Sequence, residues 1–196
     1  MATTNKLPKD IEERREIIST ALEIFVQEGY FATTGVKIAK AAEISEEMLF
    51  SYFETKEYLL HTIVAEAVHL LFDGLDPNDD GNLLEVELLF FINDYFDSIE
   101  KHFKFFKMFY ALRLQAGVVE LYRQELDEIV SLKLDVLNKY FSLNGADDPE
   151  METRFLISML DGIAMNYVLE PEAYPIETMQ HKILTMYVNK TEYEEE

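Results

Sequence analysis

Apolar side chains recur every three or four residues along almost the whole chain, and no convincing stretch alternates in the two-residue period of a strand. A chain patterned this way buries stripes on helices, so the fold it can reach is all-α. Capping residues divide the pattern. Asp10, with Glu13 three residues on, starts a first helix of about 18 residues carrying Ile11, Ile18, Ala21, Leu22 and Phe25 as far as Gly29. Thr33 and Thr34 can cap a short second helix through Val36, Ile38, Ala39 and Ala42, and Ser45 a short third with Leu49 and Phe53 at i, i+4. Thr55 caps a fourth, from Lys56 to about Leu75. The segment Asp76-Pro77-Asn78-Asp79-Asp80-Gly81-Asn82 is a loop by composition. Five further helices are predicted over 83–100, 103–115, 117–143, 148–169 and 176–190, for about nine in all, with Gly145 to Pro149 and Pro171 to Pro175 marking the last two boundaries. Glu192 to Glu196 reads as a solvated tail.

The 196 residues are 48% hydrophobic, enough for a real core. Cysteine is absent, which excludes disulfides and thiolate chemistry and fits a reducing compartment. Met1 to Arg15 has no apolar signal core, and no apolar run reaches the roughly 18 residues a membrane span needs. The expectation is a cytoplasmic protein with no membrane partner. The net charge of −21 is unevenly placed: residues 1–56 carry 7 basic and 10 acidic side chains, leaving 10 and 28 in residues 57–196. The acidity therefore lies mostly outside the N-terminal part.

Two short helices joined by about three residues form a helix-turn-helix pattern. A helix beginning at Ser45 buries Leu49 and Phe53 and turns Glu46, Glu47, Phe50 and Ser51 outward, as a helix entering a major groove requires. Thr34, Tyr52 and Lys56 are then placed for phosphate oxygens, Lys56 at a helix N-terminus whose dipole also attracts anions. Lys37 and Lys40 add nonspecific attraction. The candidate DNA-contacting set is Thr34, Lys37, Ser45, Glu46, Glu47, Phe50, Ser51, Tyr52 and Lys56.

Residues 14–60 resemble the N-terminal domain of the TetR family of transcriptional regulators without a gap. The resemblance is carried by Ala21-Leu22-Glu23-Ile24-Phe25, Gly29-Tyr30, Thr33-Thr34, Ile38-Ala39, Ala42 with Ile44-Ser45, Leu49-Phe50, Tyr52-Phe53 and Lys56-Glu57. Met159-Leu160-Asp161-Gly162 resembles the family's common segment in its penultimate helix. The family pattern carries Thr34, Tyr52 and Lys56 over as phosphate contacts. It implies a DNA-binding domain over 1–56 and a larger helical ligand-binding and dimerisation domain over 57–196. It further implies a homodimer through the last two helices, a palindromic operator in double-stranded DNA, a small-molecule effector and most simply a repressor. The chain departs from the pattern at Glu43, where family members usually have Gly, at Glu46 and Glu47, where they have small or basic residues, and at Gly35, where they have an apolar one. Those acids, with the net charge, support an alternative: a TetR-fold protein that binds a ligand or partner and has lost operator binding.

From 90 to 122 the chain is dense in aromatics, more than a small bundle normally buries. The resemblance turns that density into a pocket for an apolar or aromatic molecule, with Tyr95, Phe106, Phe109, Tyr110 and Tyr122 as candidate lining and Asn166 as an orienting group. The bland alternative for each is plain core packing. Met159, Ile163, Met165, Met179, Ile183 and Met186 give the last two helices more apolar surface than one inward face needs.

Asp76, Asn78, Asp80, Gly81 and Glu87 satisfy the pattern of a calcium-binding EF-hand loop, although such loops usually pair and this one is single. The preferred reading is an interhelix turn, with no metal and no cofactor. His61, His69, His102 and His181 are scattered, and no metalloprotease motif, phosphate-cradling glycine loop or nucleophile elbow occurs, so no enzyme is expected.

Overall fold

The computed structural model describes residues 9–188, and these form helices throughout, with no β-strand among them. The helices are α1 (Lys9–Glu28), α2 (Gly35–Ala41), α3 (Glu46–Tyr52), α4 (Lys56–Phe72), α5 (Glu85–Lys101), α6 (Phe103–Arg113), α7 (Val118–Leu143), α8 (Pro149–Leu169) and α9 (Ile176–Val188). The acidic tail and the last two residues of the final predicted helix lie outside the described residues.

Asp10 sits inside the first turn of α1 rather than capping it, where its carboxylate still faces the positive end of the helix dipole. The fourth helix stops at Phe72, three residues before its predicted end. The fifth starts later than predicted because Leu84, extended, is its cap residue and the Leu84 N–H donates to Glu87 Oε2 (2.8 Å).

The chain divides into two compact units: the residues up to Ala65 together with Met108–Glu125, and Glu66–Lys107 together with the residues from Leu126 onward. Helices α4, α6 and α7 each contribute to both. In the first unit, α2 packs against α1 and α3 over Ile18, Leu22, Phe25, Ile38, Leu49 and Phe53, all buried. Phe109, Tyr110, Leu112, Val118 and Tyr122 are the buried residues that the segment around the α6–α7 turn supplies to this unit. In the second unit α5 packs against α8 and α9. There Phe72, Phe91, Tyr95 and Phe96 form a run of ring contacts with centroids 5.8 to 6.2 Å apart.

Candidate nucleic-acid interface

Local capping builds the interface. Thr34, extended at φ −117°, accepts from Lys37 N and begins α2; Ser45 accepts from Met48 N at 3.0 Å and begins α3; Thr55 accepts from Tyr58 N at 3.0 Å at the start of α4. Each satisfies an N–H that the first helical turn leaves without a partner. Between α2 and α3 the chain turns through Glu43 at φ +55°, a left-handed conformation that costs a side chain with a Cβ about 1–2 kcal/mol. The family's usual glycine at this position has this physical reason.

Glu46, Glu47, Phe50 and Ser51 are exposed on α3, while Leu49 and Phe53 turn inward and are buried. The Ser51 hydroxyl donates to Met48 O at 2.7 Å. Phe50 remains 37% exposed and lies across the start of α2, where a Cβ on Gly35 would stand 2.6 Å from its ring. Gly35, which departs from the family pattern, is what makes room for that ring.

Of the side chains expected to face the DNA backbone, Tyr52, Lys56 and Lys37 all have partners inside the unit. The Tyr52 hydroxyl donates to Glu13 Oε2 at 2.6 Å, and that hydrogen bond, then desolvation, then the Glu13 and Asp10 charges, pushes the phenol up to about 12. Lys56 Nζ donates to the carbonyls of Tyr30 (3.1 Å) and Thr33 (3.0 Å) and stands 4.3 Å from the Tyr30 ring centroid. Lys37 pairs with Glu28 and donates to Ala32 O at 3.2 Å. A further contact, unreadable from sequence, holds the turn after α1. Gln115, from the α6–α7 turn, accepts from Tyr30 N (2.8 Å) and donates to Phe25 O (2.6 Å).

Of the candidate ligand residues, Tyr95 and Phe106 are buried in the second unit, and Phe109, Tyr110 and Tyr122 are buried in the first. Asn166 is exposed on α8, donates to Gly162 O at 2.6 Å, and borders an apolar groove of about 340 Å³ between α8 and α9. Met159, Ile163, Met179, Ile183 and Met186 line that groove. In the loop before α5, Asp76 Oδ2 accepts from Gly81 N (2.9 Å), Asp80 Oδ1 accepts from Asn82 N (2.8 Å), and Glu87 caps α5. Among the described residues no three His, Asp or Glu side chains converge as a metal site. No described helix is long and apolar enough to cross a membrane.

Among known proteins, residues 17–63 match the family of bacterial regulatory proteins, tetR family. Over 54 residues the chain is 43% identical to the HTH-type transcriptional regulator HbdR of Aromatoleum sp. (strain CIB), a match covering 27% of this chain and 24% of that protein. A fatty acid metabolism regulator protein of Bacillus subtilis (strain 168) is 21% identical over 187 residues, 89% of this chain and 93% of its own length. The fold is also that of a transcriptional regulator FadR from Bacillus subtilis crystallised with stearoyl-CoA (TM-score 0.70, 20% identity, covering 89% of this chain and 97% of that one). Residues 17–63 thus carry the tetR-family domain of bacterial regulatory proteins, and the described residues share the all-helical fold of regulators that carry it.

Proposed function

We propose that this chain is a cytoplasmic repressor that grips a palindromic operator as a homodimer and lets go when an apolar small molecule of the acyl-chain class binds its second unit. DNA contacts come from residues 1–56, with Glu46, Glu47, Phe50 and Ser51 toward the bases and Thr34, Lys37, Ser45, Tyr52 and Lys56 toward the backbone. Residues 57–196 sense the ligand and dimerise. The observation that carries this reading is α3 itself: Ser45 caps it, Leu49 and Phe53 anchor it, and its opposite face is left to solvent.

The acyl class is suggested by the fatty acid regulators among the chain's relatives and suits the ring-rich core around Tyr95 and Phe106. The open groove between α8 and α9 suits a second copy better than a small ligand. It continues into an exposed apolar stripe on α8, with Met151 and Leu169 each 60% exposed and Phe155 48%. Two chains joined there would set their recognition helices about one DNA turn apart, roughly 34–36 Å.

A second reading, loss of operator binding, is favoured by one observation: Tyr52, Lys56 and Lys37 already bond within the unit. Selection from a pool of random duplex DNA at low and moderate salt separates the two. Enrichment of a palindrome by the protein, lost in a Lys56→Ala, Tyr52→Ala double variant, supports the operator reading. A folded dimer that enriches nothing at low salt overturns it. Release of the selected duplex by stearoyl-CoA, but not by free coenzyme A, tests the ligand class.

A further inference from the structure

We infer that α3 reads its half-site through acceptors and an apolar edge alone, so that each half-site carries a C·G pair beside a T·A pair, recognised by Glu46 and Phe50. The inference rests on the operator-binding reading above and specifies its base contacts. The helix runs Glu46-Glu47-Met48-Leu49-Phe50-Ser51-Tyr52 and contains no Arg, Lys, His, Asn or Gln. The side chains that recognise guanine O6 and N7 or adenine N6 and N7 in two-point fashion are therefore missing from it. Its two hydroxyls are engaged, Ser51 with Met48 O and Tyr52 with Glu13. What α3 offers a groove is the pair of exposed carboxylates of Glu46 and Glu47 and the exposed part of the Phe50 ring.

Chemistry restricts what these groups accept. A carboxylate takes a hydrogen bond and repels acceptors. In the major groove guanine presents only acceptors and adenine sets an acceptor beside its amino group, whereas cytosine presents the N4 amino group as its hydrogen-bonding atom. Glu46 therefore selects a C·G pair with the cytosine toward it. An aromatic edge gains by contact with the thymine C5 methyl. The two groups are neighbours: the point where a Gly35 Cβ would stand is 2.6 Å from Phe50 Cζ and 3.6 Å from Glu46 Oε1. Ring and carboxylate, one helical turn apart on α3, thus share the edge of the helix beside Gly35, whose backbone holds the ring in place, and on this inference they meet adjacent base pairs.

The test is selection from random duplexes by the full-length protein, followed by titration of half-site variants against wild type, Glu46→Gln, Phe50→Ala and Phe50→Leu. Wild type is expected to favour C·G and T·A at two neighbouring positions by about tenfold each. Glu46→Gln is expected to move the first preference to A·T, because an amide pairs with adenine N6 and N7, and to leave the second unchanged. Phe50→Ala is expected to flatten the second alone, with Phe50→Leu, which retains an apolar side chain over Gly35, keeping part of it. Removing an acid also weakens repulsion from every duplex, so the readout is the ratio between duplexes and not affinity itself. A palindrome whose base preferences ignore all three substitutions overturns this inference and leaves operator binding standing. A wild-type protein that enriches no palindrome overturns both.

Discussion

In the first unit the turn between α1 and α2 is held by polar side chains reaching in from distant parts of the chain: Gln115 on Tyr30 N and Phe25 O, and Lys56 on the carbonyls of Tyr30 and Thr33. In the second, the buried residues of α5 are mostly apolar and aromatic, with a part-buried cross-helix hydrogen bond from Gln180 Nε2 to Asn93 Oδ1 (2.8 Å) at its middle. Hydrogen bonds are directional and fix one geometry; apolar burial is not, and tolerates rearrangement at smaller cost. On the proposed function, the helix presented to DNA needs the first kind of support, and a second unit that admits an apolar guest needs the second.

The largest effect that could break this contrast is at Phe106, which is fully buried in the second unit and stacks edge-on with Phe105 at 5.3 Å. If it is core in the protein without ligand, Phe106→Ala costs about 3–5 kcal/mol, measured by denaturant unfolding. A loss below about 1 kcal/mol would mean that Phe106 borders space already open, and the contrast would fail. An apolar guest that restores part of the lost stability would sharpen it.

A smaller effect belongs to Gln115. Gln115→Leu removes both hydrogen bonds and leaves the Tyr30 N–H and Phe25 C=O, at the end of α1, without that partner, for an expected loss of about 2 kcal/mol. Hydrogen exchange should rise over α1 and the turn after it. Protection unchanged there would show that the latch contributes nothing to the first unit's rigidity.

The same contrast explains how much of the molecule is legible in its sequence. The caps at Thr34, Ser45 and Thr55 are legible because a cap and the N–H it satisfies lie three residues apart, and the helix order follows from spacing. The contacts Tyr52 to Glu13 and Gln115 to Phe25 span 39 and 90 residues, and no local pattern encodes them. Most of the aromatic segment is legible as buried, Phe90 at 67% exposed being an exception, but burial does not distinguish a filled core from a pocket. Composition correctly marks Phe106 and Tyr110 as interior and cannot say that they serve different units.

The smallest effect concerns the turn between α2 and α3, where the backbone is held at a cost. Glu43 is exposed and left-handed at φ +55°, so it combines backbone strain with a negative charge beside the recognition helix. Two substitutions separate these. Glu43→Gly relieves the strain, partly offset by the greater freedom of glycine in the unfolded chain, for a net stabilisation of about 0.5–1 kcal/mol. Glu43→Gln keeps the strain and removes only the charge, so stability should change by less than about 0.5 kcal/mol. Both should raise affinity for random duplex DNA at low salt by a similar factor, an effect that fades as salt screens the charge. If Glu43→Gly alone tightens DNA binding, the turn's conformation and not its acidity limits α3. If neither does, the acids of this turn are too far from phosphate to matter, and repulsion from the DNA must be sought at Glu46 and Glu47.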